Sequence, residues 1–239
     1  MQGIEATFHR DDQSRGLWGL DINGRMVVWL IDIRWQHEKD AHEAGIQHLQ
    51  ADGALICCAQ KPDADDYGAK WLPLAATPGY TPPVGEVQKL FDCAFVGYVR
   101  DKPREQALLD LNQHVSLSIA QGQFGDAAVT TYHQARLGVN VPTRYGHPQA
   151  YDSANMRLFE ILATGTPVVT PYEDYLSELG VEHGKTGFVY RNPQDLLDIV
   201  DKALSDFNLT NIGNNAVKLV RERHTYAHRA KQVMEWLHE

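Results

Sequence analysis

The feature that most constrains this chain is a rhythm in its second half. Short apolar runs alternate there with segments of helical character: CAFVGY then KPREQALLDLNQ, VSLSIA then DAAVTTYHQA, LGVNV then DSANMRLFEILAT, TPVVT, and GFVY then PQDLLDIVDKALSD. Strands separated by helices of this length read as βαβ units, which close on a parallel sheet. Two more helical stretches, NLTNIGNNAVKLVRER and TYAHRAKQVMEWLHE, end the chain. Ahead of the rhythm stands ATPGYTPPVGE, with Pro78, Pro82, Pro83, Gly79 and Gly85. Such a segment reads as a linker. The expected organisation is a shortened N-terminal α/β region at 1–76, a linker at 77–86, and a Rossmann-like α/β domain at 87–239.

The N-terminal region has its own signals. Asn23-Gly24 between two apolar runs predicts a two-residue hairpin. HEKDAHEAGIQHLQADG predicts a helix that stops near Gly53, and ALICCA a short buried strand. About 75 residues are too few for a complete doubly wound domain, which needs several βαβ units of roughly thirty residues each.

The 239 residues are 43% hydrophobic, enough for one large core or two small ones. The formal charge of −9 gives no general attraction to nucleic acid or to anionic lipid. No apolar run is long enough to span a membrane, and MQGIEATFHRDD lacks the apolar centre of a signal peptide. Cys57, Cys58 and Cys93 form no CxxC and are odd in number. Together these features predict a reduced, cytoplasmic protein. A bound metal is not expected. His37-Glu38 and His42 have the wrong spacing for a zinc helix, and Asp63-Ala-Asp65 reads as a solvated turn bounded by Pro62 and Gly68.

Within YDSANMRLFEILATGTPVV, Asp152 and Ser153 are candidate N-caps, and Gly165 followed by Pro167 is a stop. A helix over 153–164 would put its N-terminus at the carboxyl edge of the sheet, where open α/β sheets bind ligands and helix N-termini bind phosphate. At 100° and 1.5 Å per residue, Asp152 and Glu160 would lie about 80° and about 12 Å apart along one side. A nucleotide-sugar laid there can use both, Glu160 for ribose hydroxyls and Asp152 for the donor sugar. The same residues serve equally as a plain N-cap and as an i, i+3 partner of Arg157.

These segments resemble the C-terminal domain of GT-B glycosyltransferases (glycosyl transferases group 1), in which an E-x7-E motif occupies this helix; here it is D-x7-E. The likeness is greatest to the CgeB-like group. Phe95-Val96-Gly97 with Arg104 resembles its F-V-G strand and downstream arginine, and Gly138-Val139-Asn140 its L-N strand. Arg157, Phe159, Glu160, Ala163, Gly165 and Pro167 match its R-x-F-E-x-x-A-x-G-x-P. His224, Thr225, Tyr226 and Arg229 match its H-T-Y-x-x-R. The resemblance covers 70–239 well and 26–70 loosely.

The resemblance implies a retaining, metal-independent hexosyl transfer from a nucleotide-diphosphate donor, UDP being expected, to an acceptor hydroxyl, with no cofactor beyond the donor. It implies donor contacts from Gly97, Tyr98, Arg104, Asn140, Ser153, Ala154, Asn155, Met156 and Glu160, with Arg104 neutralising the diphosphate. It assigns the chemistry to Asp152, Arg104 and Asp32, the last at the end of the strand MVVWLID; Asp32 reads equally as a helix cap. His224 is expected to be structural. The acceptor can be a polysaccharide, a small metabolite or a modified DNA base, the last disfavoured by the charge. Rival readings are a nucleotide-sugar epimerase and a binding module without catalysis. Trp18, Trp29 and Trp35 on a small N-terminal sheet predict a homodimer through residues 1–50, and the last helix is expected to pack back onto the N-terminal strands.

Overall fold

The computed structural model describes residues 6–10, 18–22, 24–31, 36–99, 101–142 and 154–239, with backbone alone at 6–10, 18–19 and 36–42. The chain divides into two compact units, Met1–Leu74 together with Arg229–Glu239, and Ala75–His228.

The first unit holds β1 (Ala6–Arg10), β2 (Trp18–Ile22), β3 (Arg25–Leu30), α1 (Gln36–Ala51), β4 (Leu55–Cys58), α2 (Lys61–Tyr67) and β5 (Lys70–Trp71). The strands form one sheet in the order β1-β2-β3-β4-β5. The β1–β2 and β2–β3 pairs are antiparallel, and β3–β4 and β4–β5 are parallel. Ile22 pairs with Arg25 across the expected hairpin, and Gly24 in its turn has φ 82°. The strand period of two sorts β3 between two cores. Val28 and Leu30 pack with Ile46 and Leu49 of α1 and Ile56 of β4. Val27 packs on the other side with Ile22 and Leu237.

Leu237 belongs to the last helix, α8 (Tyr226–Leu237), whose residues from Arg229 onward lie in this first unit. Arg229 is buried there, and its Nε donates to the carbonyl of Pro73 at 2.6 Å and its Nη2 to that of Leu74 at 3.0 Å. Trp29 is half-buried and donates its indole N–H to the carbonyl of Leu72. The Asp63-Ala-Asp65 segment is not a solvated turn. It lies in α2, which starts with Pro62 in its first turn and ends on a left-handed Gly68, and Asp63 is buried. The proline and glycine that suggested a turn are the two ends of a short helix.

The second unit is the rhythm made solid. Its elements are β6 (Phe91–Val96), α3 (Lys102–His114), β7 (Leu117–Ala120), α4 (Asp126–His133), β8 (Ala135–Val139), α5 (Met156–Thr164), β9 (Val168–Pro171), a 3-10 turn at Asp174–Leu176, β10 (Gly187–Tyr190), α6 (Pro193–Asp206) and α7 (Leu209–Arg223). All strand pairs are parallel, in the order β10-β9-β8-β6-β7. One face carries α3 and α6, which bury Leu108, Leu111, Val200 and Ala203 against Phe95, Leu137, Val139 and Val169. The other carries α4 and α5. Ile161 of α5 comes so near β8 that a Cβ on Gly138 would lie 2.5 Å from its Cγ2. α7 crosses α5 with no side chain between them, because a Cβ on Gly213 would overlap the carbonyl oxygen of Gly165.

Residues 77–86, the expected linker, belong to this unit, and Tyr80 is 8% exposed. Among the described residues no helix is long and apolar enough to cross a membrane.

Candidate functional site

From β6 the chain steps outward to β7, then returns across β6 to β8. The carboxyl ends of β6 and β8 are therefore the topological switch point, where crossovers leave in opposite directions and a crevice opens. Arg157, in the first turn of α5, lies across those two ends. Its Nε donates to the carbonyl of Val96 at 2.8 Å, and its Nη1 to Asn140 Oδ1 at 3.1 Å and to the carbonyl of Val141 at 3.4 Å. Its guanidinium stacks over the Phe95 ring at 4.6 Å. Gly97 makes room for it: φ there is 148°, and a Cβ would lie 2.5 Å from Nη2. Arg157 is half-buried, and Nη2 donates to no group among the described residues.

Asn140 is fully buried and acts as the hub. Its Oδ1 accepts from Arg157 and from Asn155 Nδ2 at 3.0 Å, its Nδ2 donates to Thr170 Oγ1, and its carbonyl accepts from the Tyr190 hydroxyl. Such a network fixes the Asn140 rotamer, because its side-chain oxygen, its side-chain nitrogen and its carbonyl are all engaged.

The start of α5 differs from the sequence reading. Asn155 is the N-cap, its Oδ1 accepting from the backbone N–H of Leu158, and the helix begins at Met156. It therefore does not extend over 152–160, and the offset of about 80° derived on a helix does not apply to Asp152 and Glu160. Asp152, Ser153 and Asp32 lie outside the described residues. Ala154 is buried and Met156 is exposed.

Arg104 was expected at the diphosphate, but it is 5% exposed. Its Nη1 donates to the carbonyl of Tyr98 at 2.8 Å and its Nε to that of Pro142 at 3.3 Å, with Asp101 Oδ2 at 3.9 Å. It pins the loop after β6 to the loop after β8. Tyr98 itself is exposed. Arg157 had entered the sequence reading only as a motif residue and as a partner for Glu160. Its part here follows from β6 and β8 being neighbours, which spacing along the chain does not reveal.

Glu160 lies one turn further along α5, half-buried. Its Oε1 accepts from Thr77 Oγ1 at 2.9 Å, and the Tyr80 hydroxyl faces its carboxylate. Burial pushes its pKa above the usual carboxylate range, while Thr77, the charge of Arg157 and Tyr80 pull it down. His224 is structural: it is buried, its Nε2 bonds the carbonyl of Leu179, and its ring lies 5.2 Å from Phe159. Among the described residues no three His, Cys, Asp or Glu side chains are grouped to hold a metal ion.

A parallel sheet with helices on both faces and a helix N-terminus at its switch point is a Rossmann-like domain. A family model described as "Glycosyl transferase-like" matches residues 100–235, and the chain belongs to that family. The match names the family and not the CgeB-like subgroup. HepE of Anabaena, solved with UDP and glucose, is 15% identical with a TM-score of 0.64; the alignment covers 89% of this chain and 71% of that one. TarM of S. aureus, solved as a point mutant with fondaparinux, alpha-GlcNAc-glycerol and UDP, is 10% identical with a TM-score of 0.63; the alignment covers 87% of this chain and 50% of that one. At such identities the likeness is one of fold. This chain thus spans about half of TarM. No curated protein matches the chain in sequence.

Proposed function

We infer that the protein transfers a sugar from a UDP-sugar to an acceptor hydroxyl, with retention of configuration and without a metal ion. The observation that carries this reading is Arg157. A guanidinium held by three acceptors, with Nη2 bonded to no group among the described residues, stands at the switch point beside the N-terminus of α5. A diphosphate placed there meets a charge and a helix dipole that need no reorganisation. The presence of UDP in the solved complexes of HepE and TarM supports the choice of nucleotide.

In this reading Glu160 binds the ribose, and Asp152 and Asp32 serve the donor sugar and the acceptor. The acceptor oxygen attacks the anomeric carbon on the face that the diphosphate leaves. The bond from that carbon to the phosphate oxygen breaks, and the acceptor proton passes to the departing phosphate. No protein nucleophile is needed, and the protein contributes position and electrostatics.

The test is a UDP titration by calorimetry, followed by donor turnover in EDTA with anomeric configuration read by NMR. UDP binding, survival in EDTA and retention are expected. Absence of UDP binding, or activity lost to EDTA and restored by manganese, sinks the reading.

A further inference from the structure

The proline-rich segment ahead of β6 forms a tight turn. The N–H of Tyr80 donates to the carbonyl of Thr77 at 3.2 Å, Pro78 stands second, and Gly79 third with φ 97°. Proline then glycine with positive φ is the signature of a type II turn. Its two ends converge on one carboxylate. Thr77 Oγ1 donates to Glu160 Oε1, and the Tyr80 hydroxyl faces the same group. That hydroxyl also faces the backbone N–H of Gly125, the residue capping α4.

We propose that Thr77 and Tyr80 are positioning residues of the donor site: the turn 77–80 fixes the Glu160 carboxylate for the ribose hydroxyls of the nucleotide-sugar. The inference rests on the reading that Glu160 binds ribose. A carboxylate offers about four acceptor positions, so the turn engages part of it and leaves the rest for ligand. Two hydroxyls from one rigid turn also select a single rotamer of a side chain with three torsions, which is how a supporting shell aims a binding group.

The groups facing Glu160 are Arg157 from α5, Thr77 and Tyr80 from the turn, and Tyr132 from α4. Thr77 and Tyr80 both favour the ionised carboxyl. Removing either hydroxyl therefore raises the Glu160 pKa further. Ribose hydroxyls donate to the ionised form, so the acid fall-off in donor affinity moves to higher pH. A turn that merely supports the fold would change affinity equally at every pH.

The experiment measures UDP-glucose affinity of the full chain by calorimetry across pH, since that donor has no phosphate titrating near neutrality. Y80F and T77V should bind roughly three- to tenfold more weakly near neutral pH, with the fall-off displaced upward. T77S, which keeps the hydroxyl, should restore both. E160Q should weaken binding and abolish the fall-off. If E160Q binds as the wild type does, the ribose reading fails and this inference with it. If E160Q is weak while Y80F and T77V match the wild type, or are weakened evenly at all pH, the inference alone is overturned. Thermal melts verify folding. Should Y80F not fold, the T77V and T77S pair decides.

Discussion

Two helices of the second unit begin at the carboxyl edge of the sheet with an arginine in the first turn, and they are used in opposite ways. α3 is capped by Asp101, whose carboxylate accepts from the backbone N–H of Arg104. That charge already answers the positive end of the helix dipole. Arg104 is directed into the carbonyls of Tyr98 and Pro142 and is nearly sealed from solvent. α5 is capped by a neutral amide, Asn155, and Arg157 beside it keeps Nη2 unbonded among the described residues. A cation and a dipole attract an anion only when their donors and field are not already answered by the protein. Position in a motif does not report that.

The comparison can be broken most directly at Arg157. On the proposed reading, Arg157→Ala removes one or two charge-assisted hydrogen bonds to the diphosphate, about 1.5–3 kcal/mol, or on the order of ten- to a hundredfold in the Kd for UDP. Calorimetry reads it. Arg104→Ala should do the reverse. It leaves the carbonyls of Tyr98 and Pro142 without their donor and Asp101 without its ion-pair partner, costing about 2–3 kcal/mol of stability by denaturant unfolding, with the smaller effect on UDP. Equal effects of the two variants on UDP affinity would erase the distinction.

Asn155→Asp transplants the charged cap of α3 onto α5. It keeps an N-cap acceptor but sets a negative charge at the dipole's positive end, a term of about 0.3–1 kcal/mol. UDP affinity should fall roughly two- to fivefold by calorimetry, and the melting temperature should drop as well, because the bond from Nδ2 to Asn140 is lost.

The smallest effect is expected at Glu160. Its carboxyl pKa is raised in the folded protein by burial. The folded state therefore holds a proton more readily than the unfolded chain, whose value is about 4.3. The cost of the ionised group is present in full above the folded pKa and gone below the unfolded one. Glu160→Gln should melt higher than the wild type at neutral pH and lose that advantage as pH falls to about 4. A gain that persists in acid would point away from titration as its cause.

Much of this architecture was legible in the chain because local signals agreed. α6 runs from Pro193 to Asp206, the segment read as helical, since Asn192 caps it and Pro193 occupies its first turn. The start of α5 was not legible. Asp152, Ser153 and Asn155 are all good caps, and the amide that won also bonds Asn140, a contact fifteen positions away that no local pattern encodes. The site was half-legible for the same reason. Asn140 and Glu160 stand out by type and motif. The separation of Arg157 from Arg104 depends on which strands lie side by side and which carbonyls each guanidinium reaches.

The bare contact between Gly213 and Gly165 gives α5 the character of a lever. The helix has nine residues, roughly 13 Å at 1.5 Å per residue. Its C-terminal end abuts another backbone, and its N-terminal end carries Arg157. Adding one methyl group at position 213 would push the near end outward. With the middle of the helix held against the sheet, the far end would swing by a comparable distance the other way. Misplacement of about 1 Å in a reacting geometry can cost a hundredfold. Position 213 is thus a tuning screw for the aim of Arg157, open to selection for donor affinity or release without any change in the residues that touch the nucleotide.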